Sequence, residues 1–265
     1  MDIKNKSEQN QSEHSSEKVE TVVVSAPRSI VSEAFRSLRT SISYLVGGKE
    51  KFCVLITSSV GREGKTFCSI NLASAFALLG KKTVILGADM RKPKIFKDFN
   101  LKNDKGMSNY LIGKATIDEV IQFTGQDNIY LVSSGPVPPN PSELIGNPRM
   151  DDLMRELKAK FEVVIIDTPP LGLVTDALQL TKYSDANVYV VRHNVTSITQ
   201  LKFIDEIYRD KKIQKIGIVV NDFVQARIAY DYSYGYGYGY GYGYGYGEEQ
   251  PKSIFHRILG KLKMS

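Results

Sequence analysis

Hydrophobic residues follow two different patterns along this chain, continuous runs and helical spacing. Segments with these two patterns alternate between residues 51 and 221. Continuous apolar runs predict strands that are buried on both faces, at 51–59, 82–89, 128–134, 161–167, 187–192 and 216–221. Apolar residues at helical spacing predict helices at 32–45, 64–80, 149–160 and 197–210. This alternation is typical of a doubly wound α/β fold with a mainly parallel sheet, in which ligands bind at the carboxyl ends of the strands.

Composition narrows the classes of protein that the pattern allows. The chain has 265 residues, 42% of them hydrophobic, which suits one large domain with tails. Its net charge of +6 is too mild to indicate a nucleic-acid partner. Two cysteines exclude a disulfide framework, and three histidines are too scattered for a metal cluster. Without an apolar run of about 18 residues or a signal peptide, the sequence predicts a cytoplasmic protein.

The two ends of the chain differ in composition from its centre. Residues 1–20 have almost no apolar side chains and are expected to be disordered. Residues 21–229 form the predicted domain. Residues 230–247 have tyrosine at every second position with glycine between most of them, a repeat that cannot pack a core of its own. Residues 248–265 are basic and amphipathic, which fits a membrane-surface helix, a partner-docking helix or a segment packed on the domain.

The stretch TSSVGREGKT, residues 57–66, joins the first predicted strand to its helix. Glycines there let backbone amides approach phosphate oxygens at the helix N-terminus. A serine, Ser59, stands where the standard phosphate loop has glycine, and a bare GKT is common, but the strand–loop–helix context favours a phosphate loop. The predicted nucleotide-binding residues of this loop are Ser59, Val60, Gly61, Arg62, Glu63, Gly64, Lys65 and Thr66. Lys65 is expected to reach the β- and γ-phosphates, and the Thr66 hydroxyl to bind Mg²⁺.

Polar residues end three further strands. Asp167 follows the run VVII, as in a Walker B strand that holds Mg²⁺, and Asp89 follows VILGA. Either aspartate alone is as common as a helix cap or a solvent-facing strand end. Together with Lys65 and Thr66, they predict a site for a nucleotide and Mg²⁺. Asn221 ends the last strand, where it either contacts the adenine edge or makes a turn.

The segments GREGKT, VILGADMRKP and VVIIDTPP, followed by a tyrosine-rich C-terminus, resemble the bacterial tyrosine kinases. Within that family the chain is similar to the separate cytoplasmic kinases of Gram-positive capsule and exopolysaccharide systems, and NPSELI, residues 140–145, is a further matching segment. The resemblance covers residues 32–246. It implies a P-loop NTPase fold related to MinD and ParA. It also implies an ATP-dependent tyrosine kinase that phosphorylates its own C-terminus in trans and regulates polysaccharide synthesis and export.

The resemblance also implies roles for single residues. Lys65 and the loop amides hold phosphate, Thr66 and Asp167 organise the metal, and Asp89 takes the proton of the acceptor. A tyrosine hydroxyl has an unperturbed pKa near ~10, so its attack on phosphorus requires such a base. The implied acceptors are Tyr230, Tyr232, Tyr234, Tyr236, Tyr238, Tyr240, Tyr242, Tyr244 and Tyr246.

A row of charged residues lies on the first predicted helix. Glu33, Arg36 and Arg39 are spaced by three, which by itself is typical of a solvated helix face. The family resemblance instead implies that this row joins subunits into a ring. It further implies a membrane adaptor whose cytoplasmic tail recruits the kinase to the inner face of the membrane, and a cognate tyrosine phosphatase.

One position departs from the family pattern. The second motif of the family has two aspartates, and here the first is replaced by Gly87 while Asp89 keeps the second. The missing carboxylate normally helps to organise Mg²⁺, so weaker catalysis is expected. A nucleotide-switched scaffold on the adaptor is therefore one alternative function. A partition-type ATPase is another, although such ATPases have a signature lysine near the start of the loop, where this chain has Val60.

Overall fold

A computed structural model describes residues 21–172 and 176–223 of the chain. Its centre is a seven-stranded sheet with the order β3-β4-β2-β5-β1-β6-β7. All neighbouring strands are parallel except β3 and β4, which pair antiparallel at one edge. The strands are β1 Phe52–Ser58, β2 Thr83–Gly87, β3 Ile121–Phe123, β4 Ile129–Val132, β5 Val163–Asp167, β6 Ala186–Arg192 and β7 Ile216–Asn221.

Helices connect these strands and cover both faces of the sheet. Four of them are long, and the others have one turn or slightly more. The helices are α1 Val22–Ser25, α2 Ile30–Leu45, α3 Lys65–Ala77, α4 Ile95–Asp98, α5 Met107–Leu111, α6 Ile117–Val120, α7 Pro141–Ile145, α8 Arg149–Lys160, α9 Asp176–Leu180 and α10 Ile198–Arg209. A 3-10 turn at Thr181–Tyr183 follows α9.

All six predicted strands and all four predicted helices are present, and their ends shift by up to three residues. The predicted doubly wound, mainly parallel sheet is confirmed. Strand β3 was not predicted, because three residues with a half-exposed face carry no readable period. The short helices were missed for the same reason.

Helix α3 is the most enclosed helix of the domain. Every residue from Cys68 to Ala77 is buried, because the sheet covers one side of the helix and α2 covers the other. Phe35 and Ile42 of α2 supply the buried apolar face of that cover. Helix α1 adds a polar contact, since the backbone N–H of Val23 donates to Asn71 Oδ1 at 3.2 Å. The helix that starts at the phosphate loop is therefore held from both sides.

The order of the strands brings the polar strand ends together. Strand β5 lies between β1 and β2, so Asp167 has Ile56 of β1 as its register partner on one side and Gly87 of β2 on the other. Strands β1, β2 and β5 are also buried along their whole length, which fixes their register. The loops after these three strands therefore open at one edge of the sheet.

Some predictions lie outside the part of the chain that the structure describes. These are the disorder of residues 1–20, the tyrosine cluster at 230–247 and the basic segment at 248–265, together with the C-terminal limit of the domain at 229. They stay predictions. Among the described residues, no helix is long and apolar enough to cross a membrane.

A close backbone approach at Gly106 yields a test of this packing. A Cβ atom at position 106 would lie 2.3 Å from Gly135 N and 2.4 Å from Ser133 O, and neither backbone atom can move freely. We expect Gly106→Ala to lower the free energy of unfolding by about 2 kcal/mol or more, measured by urea unfolding.

The matched control is Gly146→Ala. Position 146 has φ −73°, and its nearest neighbour would be the Gln179 side chain at 3.4 Å, an ordinary contact. This change should leave the stability within about 0.5 kcal/mol of wild type or raise it slightly. Equal unfolding midpoints for the two variants would contradict the packing described at Gly106.

Candidate active site

A cleft of about 560 Å³ opens where β1, β2 and β5 end. It combines basic, acidic and apolar walls from the loops that follow these strands. Residues that line it are Gly61, Arg62, Lys65, Thr66, Gly87, Asp89, Arg91, Lys92, Pro93, Lys94, Ile95, Ser134, Asp167, Thr168, Pro169 and Pro170. The cleft therefore brings together four of the predicted key residues, Lys65, Thr66, Asp89 and Asp167.

Lys65 begins α3 directly behind the loop. Its Nζ donates to Ser58 Oγ at 2.8 Å and to the Val60 carbonyl at 3.4 Å, so the ammonium is turned back under the loop. Burial lowers the pKa of Lys65, while the negative charges of Asp167 and Glu63 act against this shift. The arrangement keeps a cation at the N-terminus of the helix, where phosphate oxygens bind.

The side chain of Glu63 does not line the cleft, and the predicted nucleotide contact of this loop residue, through its backbone, stays a prediction. Its carboxylate is fully buried and accepts the backbone N–H of Val60 at Oε2, 2.7 Å away, while Oε1 accepts the hydroxyl of Thr196. The carboxylate thus ties the start of the loop to the segment after β6. Thr196 had no signal in the sequence, because this contact joins residues that are far apart in the chain.

Ser59, which stands in the place of the standard glycine, also points away from the cleft. Its hydroxyl shares a hydrogen bond of 2.6 Å with the hydroxyl of Tyr189 on β6, and both residues are buried. The serine is therefore compatible with a phosphate loop, because its side chain fits into the sheet instead of the space above the loop.

Asn221, at the end of β7, contacts the loop from the side. Its Nδ2 donates to the carbonyl of Glu63 at 3.0 Å. Gly64 has φ +96°, and a Cβ atom there would lie 2.0 Å from Asn221 Nδ2. Glycine is required at position 64 both for this backbone conformation and for this contact. The engaged amide favours a loop-supporting role for Asn221 over the expected contact with adenine.

Asp167 is the most enclosed acidic group of the cleft. Its Oδ2 accepts the Thr66 hydroxyl at 2.9 Å, and its Oδ1 accepts the Ser69 hydroxyl at 3.0 Å. Burial raises the pKa of Asp167 to about 6, although the bond from Thr66 and the charge of Lys65 act in the opposite direction. Ser69 was missed in the sequence, but it lies one helical turn after Thr66, which places both hydroxyls on one face of α3.

Asp89 lies half-buried in the loop after β2. Its Oδ1 accepts the backbone N–H groups of Arg91 at 3.1 Å and Lys92 at 2.9 Å, which closes a turn and fixes the direction of the carboxylate. Gly87 lies next to it on β2. A Cβ atom at position 87 would come within 2.8 Å of Ile95 Cγ2, so an apolar side chain lies against the place that a side chain at this position would take.

The donors in the cleft fit Mg²⁺. The Thr66 hydroxyl and the Asp167 carboxylate are hard oxygen ligands within 2.9 Å of each other. The described residues contain no group of three or more histidine, cysteine or acidic side chains that could hold a metal alone. Mg²⁺ is commonly bound by one or two carboxylates together with phosphate oxygens and water, so two protein ligands beside a phosphate loop suffice.

The predicted subunit-contact residues lie on α2, away from the cleft. Arg36 forms an ion pair with Glu33 and donates to the Pro27 carbonyl at 2.8 Å. Arg39 Nη1 donates to the carbonyl of Ala75 at 2.7 Å, in the last turn of α3. Arg39 thus caps a helix of its own chain, a contact that helical spacing could not predict. The predicted acceptor tyrosines, Tyr230 to Tyr246, lie outside the described residues.

Comparisons with known proteins agree with this geometry. Residues 53–218 match the family model described as "AAA domain". The tyrosine-protein kinase YwqD of Bacillus subtilis (strain 168) is 34% identical over 200 residues, which cover 76% of this chain and 84% of that protein. The kinase domain of Escherichia coli tyrosine kinase ETK has a TM-score of 0.75 and 31% identity, over 86% of this chain and 89% of that chain.

A more distant comparison shows the fold alone. The septum site-determining protein MinD from Pyrococcus horikoshii OT3, solved in complex with Mg-ADP, has a TM-score of 0.56 and 20% identity, over 67% of this chain and 72% of that chain. The fold and the loop therefore define a P-loop nucleotide-binding protein. The chain belongs to the bacterial tyrosine-protein kinases, and the predicted family and fold class are confirmed.

The raised pKa of Asp167 predicts an effect on stability. The folded state holds this proton up to a pH of about 6, whereas the ordinary pKa is 3.8. The free energy of unfolding therefore falls as the pH rises from 3.8 to about 6, because the unfolded state loses the proton first. Above pH 6 the cost of the buried charge no longer changes with pH. We expect Asp167→Asn to raise the Tm of the nucleotide-free protein in EDTA at pH 7.5, and to raise it by about half as much at pH 5.

Asp185→Asn is the matched control with the opposite sign. Burial acts to raise the pKa of Asp185, but the bonds from Lys49 and the Cys53 N–H outweigh it and hold the pKa below its usual value. This substitution should lower the Tm at pH 7.5. A lower Tm for Asp167→Asn at pH 7.5 would show that its charge is not costly in the folded state.

Proposed function

We propose that this chain is an ATP-dependent protein tyrosine kinase that phosphorylates its own C-terminal tyrosines in trans, between subunits. The observation that carries the proposal is the meeting of Lys65, Thr66, Asp89 and Asp167 in one cleft. A phosphate loop and a metal-binding carboxylate alone would suit any P-loop NTPase. The half-buried Asp89 adds a carboxylate that can receive a proton beside the phosphate site.

The transfer is proposed to proceed in one step. The oxygen of an acceptor tyrosine forms a bond to the γ-phosphorus of ATP, while the bond between that phosphorus and the β,γ-bridging oxygen breaks and ADP leaves. The phenolic proton goes to the carboxylate of Asp89. Lys65 and the loop amides hold the β- and γ-phosphate oxygens, which places the phosphorus in line with the acceptor.

Thr66 and Asp167 are proposed to hold Mg²⁺ in this site. The bound metal would offset the charge of the phosphate oxygens. Ser69 keeps Asp167 turned toward Thr66 through its bond to Oδ1. A carboxylate binds a metal ion in its charged form. Because burial raises the pKa of Asp167 to about 6, binding of the metal should weaken as the pH falls below that value.

The acceptors are proposed to be the nine tyrosines from Tyr230 to Tyr246. Seven of them, from Tyr234 onward, have a glycine neighbour, which adds no side chain that would block entry of the phenol into the cleft. Glu33, Arg36 and Arg39 are proposed to join neighbouring subunits into a ring. The Glu33 side chain is 66% exposed and that of Arg36 29%, which leaves both accessible to a neighbouring subunit, whereas Arg39 is engaged with Ala75 of its own chain.

The cellular role is proposed from family membership. A membrane adaptor would recruit the chain from the cytoplasm to the inner face of the membrane through its cytoplasmic tail, and a tyrosine phosphatase would reverse the modification. Each phosphate adds a charge of about −1.5 to −2, so a fully modified cluster would repel its neighbours and loosen the ring. Cycling between these states would regulate capsule or exopolysaccharide synthesis and export.

A mixing experiment tests transfer between subunits. One chain carries Lys65→Met and keeps its tyrosines; the other is active and has all nine tail tyrosines changed to phenylalanine. With ATP and Mg²⁺, we expect phosphotyrosine on the Lys65→Met chain, identified by mass spectrometry of its C-terminal peptide. The Lys65→Met chain alone is the control and should stay unlabelled. An unlabelled mixture, under conditions in which wild type labels itself, would contradict transfer in trans.

Gly87 favours one second candidate, a nucleotide-switched scaffold with little or no transfer. The missing carboxylate can be restored by Gly87→Asp, but Ile95 Cγ2 lies 2.8 Å from the new Cβ atom. Leucine lacks that methyl group and keeps the volume, so we combine Gly87→Asp with Ile95→Leu. If the carboxylate organises the metal, autophosphorylation should rise about tenfold or more at similar ATP affinity.

Ile95→Leu alone is the control for this double variant and should behave as wild type. If wild type binds ATP but forms no phosphotyrosine, and the double variant forms it, the natural chain is the scaffold. Release of free phosphate without any phosphotyrosine would instead indicate an ATPase of the partition type, against which Val60 argues.

A further inference from the structure

Three segments that are far apart in the sequence meet around one buried carboxylate beside the cleft. Asp176, at the start of α9, is 1% exposed. Its Oδ2 accepts Arg91 Nε at 2.9 Å, and its Oδ1 accepts the Ser142 hydroxyl at 2.6 Å. Arg91 Nη2 also donates to Ser142 Oγ at 2.8 Å, which closes a network of three side chains.

This network is connected to the carboxylate of Asp89 through the backbone of residue 91. The N–H of Arg91 donates to Asp89 Oδ1 at 3.1 Å, and the N–H of Lys92 donates to the same oxygen at 2.9 Å. The direction of the Asp89 carboxylate therefore depends on where residues 91 and 92 lie. The side chain of Arg91 is anchored by a charge-assisted pair, so the loop cannot shift without breaking it.

We infer that Asp176, together with Ser142, is a positioning residue for phosphoryl transfer, because through Arg91 it fixes the loop that orients Asp89. The inference rests on the proposed function, in which Asp89 is the base. It also gives a role to Ser142, which lies in the segment NPSELI and would otherwise have none in the site.

The charge state of Asp176 suits this role. Burial acts to raise its pKa, but the hydrogen bonds from Arg91 and Ser142 and the positive charge of Arg91 hold the pKa below its usual value. The carboxylate is therefore ionised throughout the neutral range, and the pair persists under the conditions of catalysis. A salt bridge with only a structural role would affect stability and leave the turnover of the folded enzyme unchanged.

The test measures trans-phosphorylation by the full chain, with the Lys65→Met chain as acceptor, for wild type, Asp176→Asn, Arg91→Met and the double variant. We expect kcat to fall by about tenfold to a hundredfold in Asp176→Asn, with the KM for ATP within about twofold of wild type. The double variant should be no slower than Arg91→Met, since Asp176 acts through Arg91.

A second readout does not depend on activity. Hydrogen exchange of the Arg91 and Lys92 amides should accelerate in Asp176→Asn, because these amides are the donors to Asp89. Asp185→Asn is the matched control: it also removes a paired carboxylate, but its partner Cys53 N–H lies at the start of β1, at the opposite edge of the sheet from the cleft. It should leave both kcat and the exchange of these two amides unchanged.

The outcomes separate this inference from the proposed function. If Asp176→Asn keeps the wild-type kcat while Asp89→Asn loses transfer, the positioning role is overturned and the kinase assignment stands. If Asp89→Asn keeps transfer, the assignment of the base fails and the inference fails with it. Unchanged exchange at Arg91 and Lys92 would also overturn the inference.

Ser142→Ala covers the case in which Asp176→Asn does not fold. It removes one hydroxyl from the network and keeps the ion pair of Arg91 with Asp176. A smaller fall in kcat, with faster exchange of the Arg91 amide, supports the inference, and wild-type values of both overturn it.

Discussion

The structure of the cleft depends on the burial of one carboxylate. Asp167 ends the strand at the middle of the sheet, where it is almost without water, and an ionised group there is costly unless it is hydrogen-bonded. Thr66 and Ser69 supply those bonds from a single face of α3. The same two bonds help to fix the position of α3 on the sheet. They therefore also fix the point at which the phosphate loop ends and the helix starts. The two hydroxyls offset only part of the cost of burying this charge, and a bound metal ion with its nucleotide would offset the rest.

Polar contacts hold the loop on the side away from the cleft. Glu63 bonds to Val60 and Thr196, Asn221 bonds to the Glu63 carbonyl, and the Ser59 hydroxyl pairs with that of Tyr189. A loop that binds phosphate through backbone amides has to keep those amides in one arrangement before the ligand arrives. The contacts with β6, with the segment after it and with the end of β7 provide that arrangement. Strands β6 and β7 therefore support a site that is formed at the ends of β1, β2 and β5.

Sequence reasoning recovered the parts of the molecule that have a local pattern. The apolar runs of β1 and β5 predicted parallel strands, and GREGKT and Asp167 could be placed at their ends because strand ends meet at one edge of the sheet. The contacts of Glu63 with Thr196 and of Arg91 with Asp176 join residues that are separated by 133 and 85 positions, and no period or motif relates such pairs. The contact of Ser59 could not be predicted for the same reason, since the Tyr189 hydroxyl that shares its hydrogen bond comes from β6.

The contact between Gly64 and Asn221 constrains how this family of sequences can change. Any side chain at position 64 would occupy the place of the Asn221 amide, at 2.0 Å, so asparagine at 221 adds a second reason for glycine at 64. A lineage that keeps asparagine at the end of β7 must keep glycine before the lysine of the loop, while one that loses the asparagine must find another donor for the Glu63 carbonyl. Because the positive φ of residue 64 requires glycine even where the asparagine is lost, position 64 should stay glycine and only position 221, 157 residues later in the chain, is free to change.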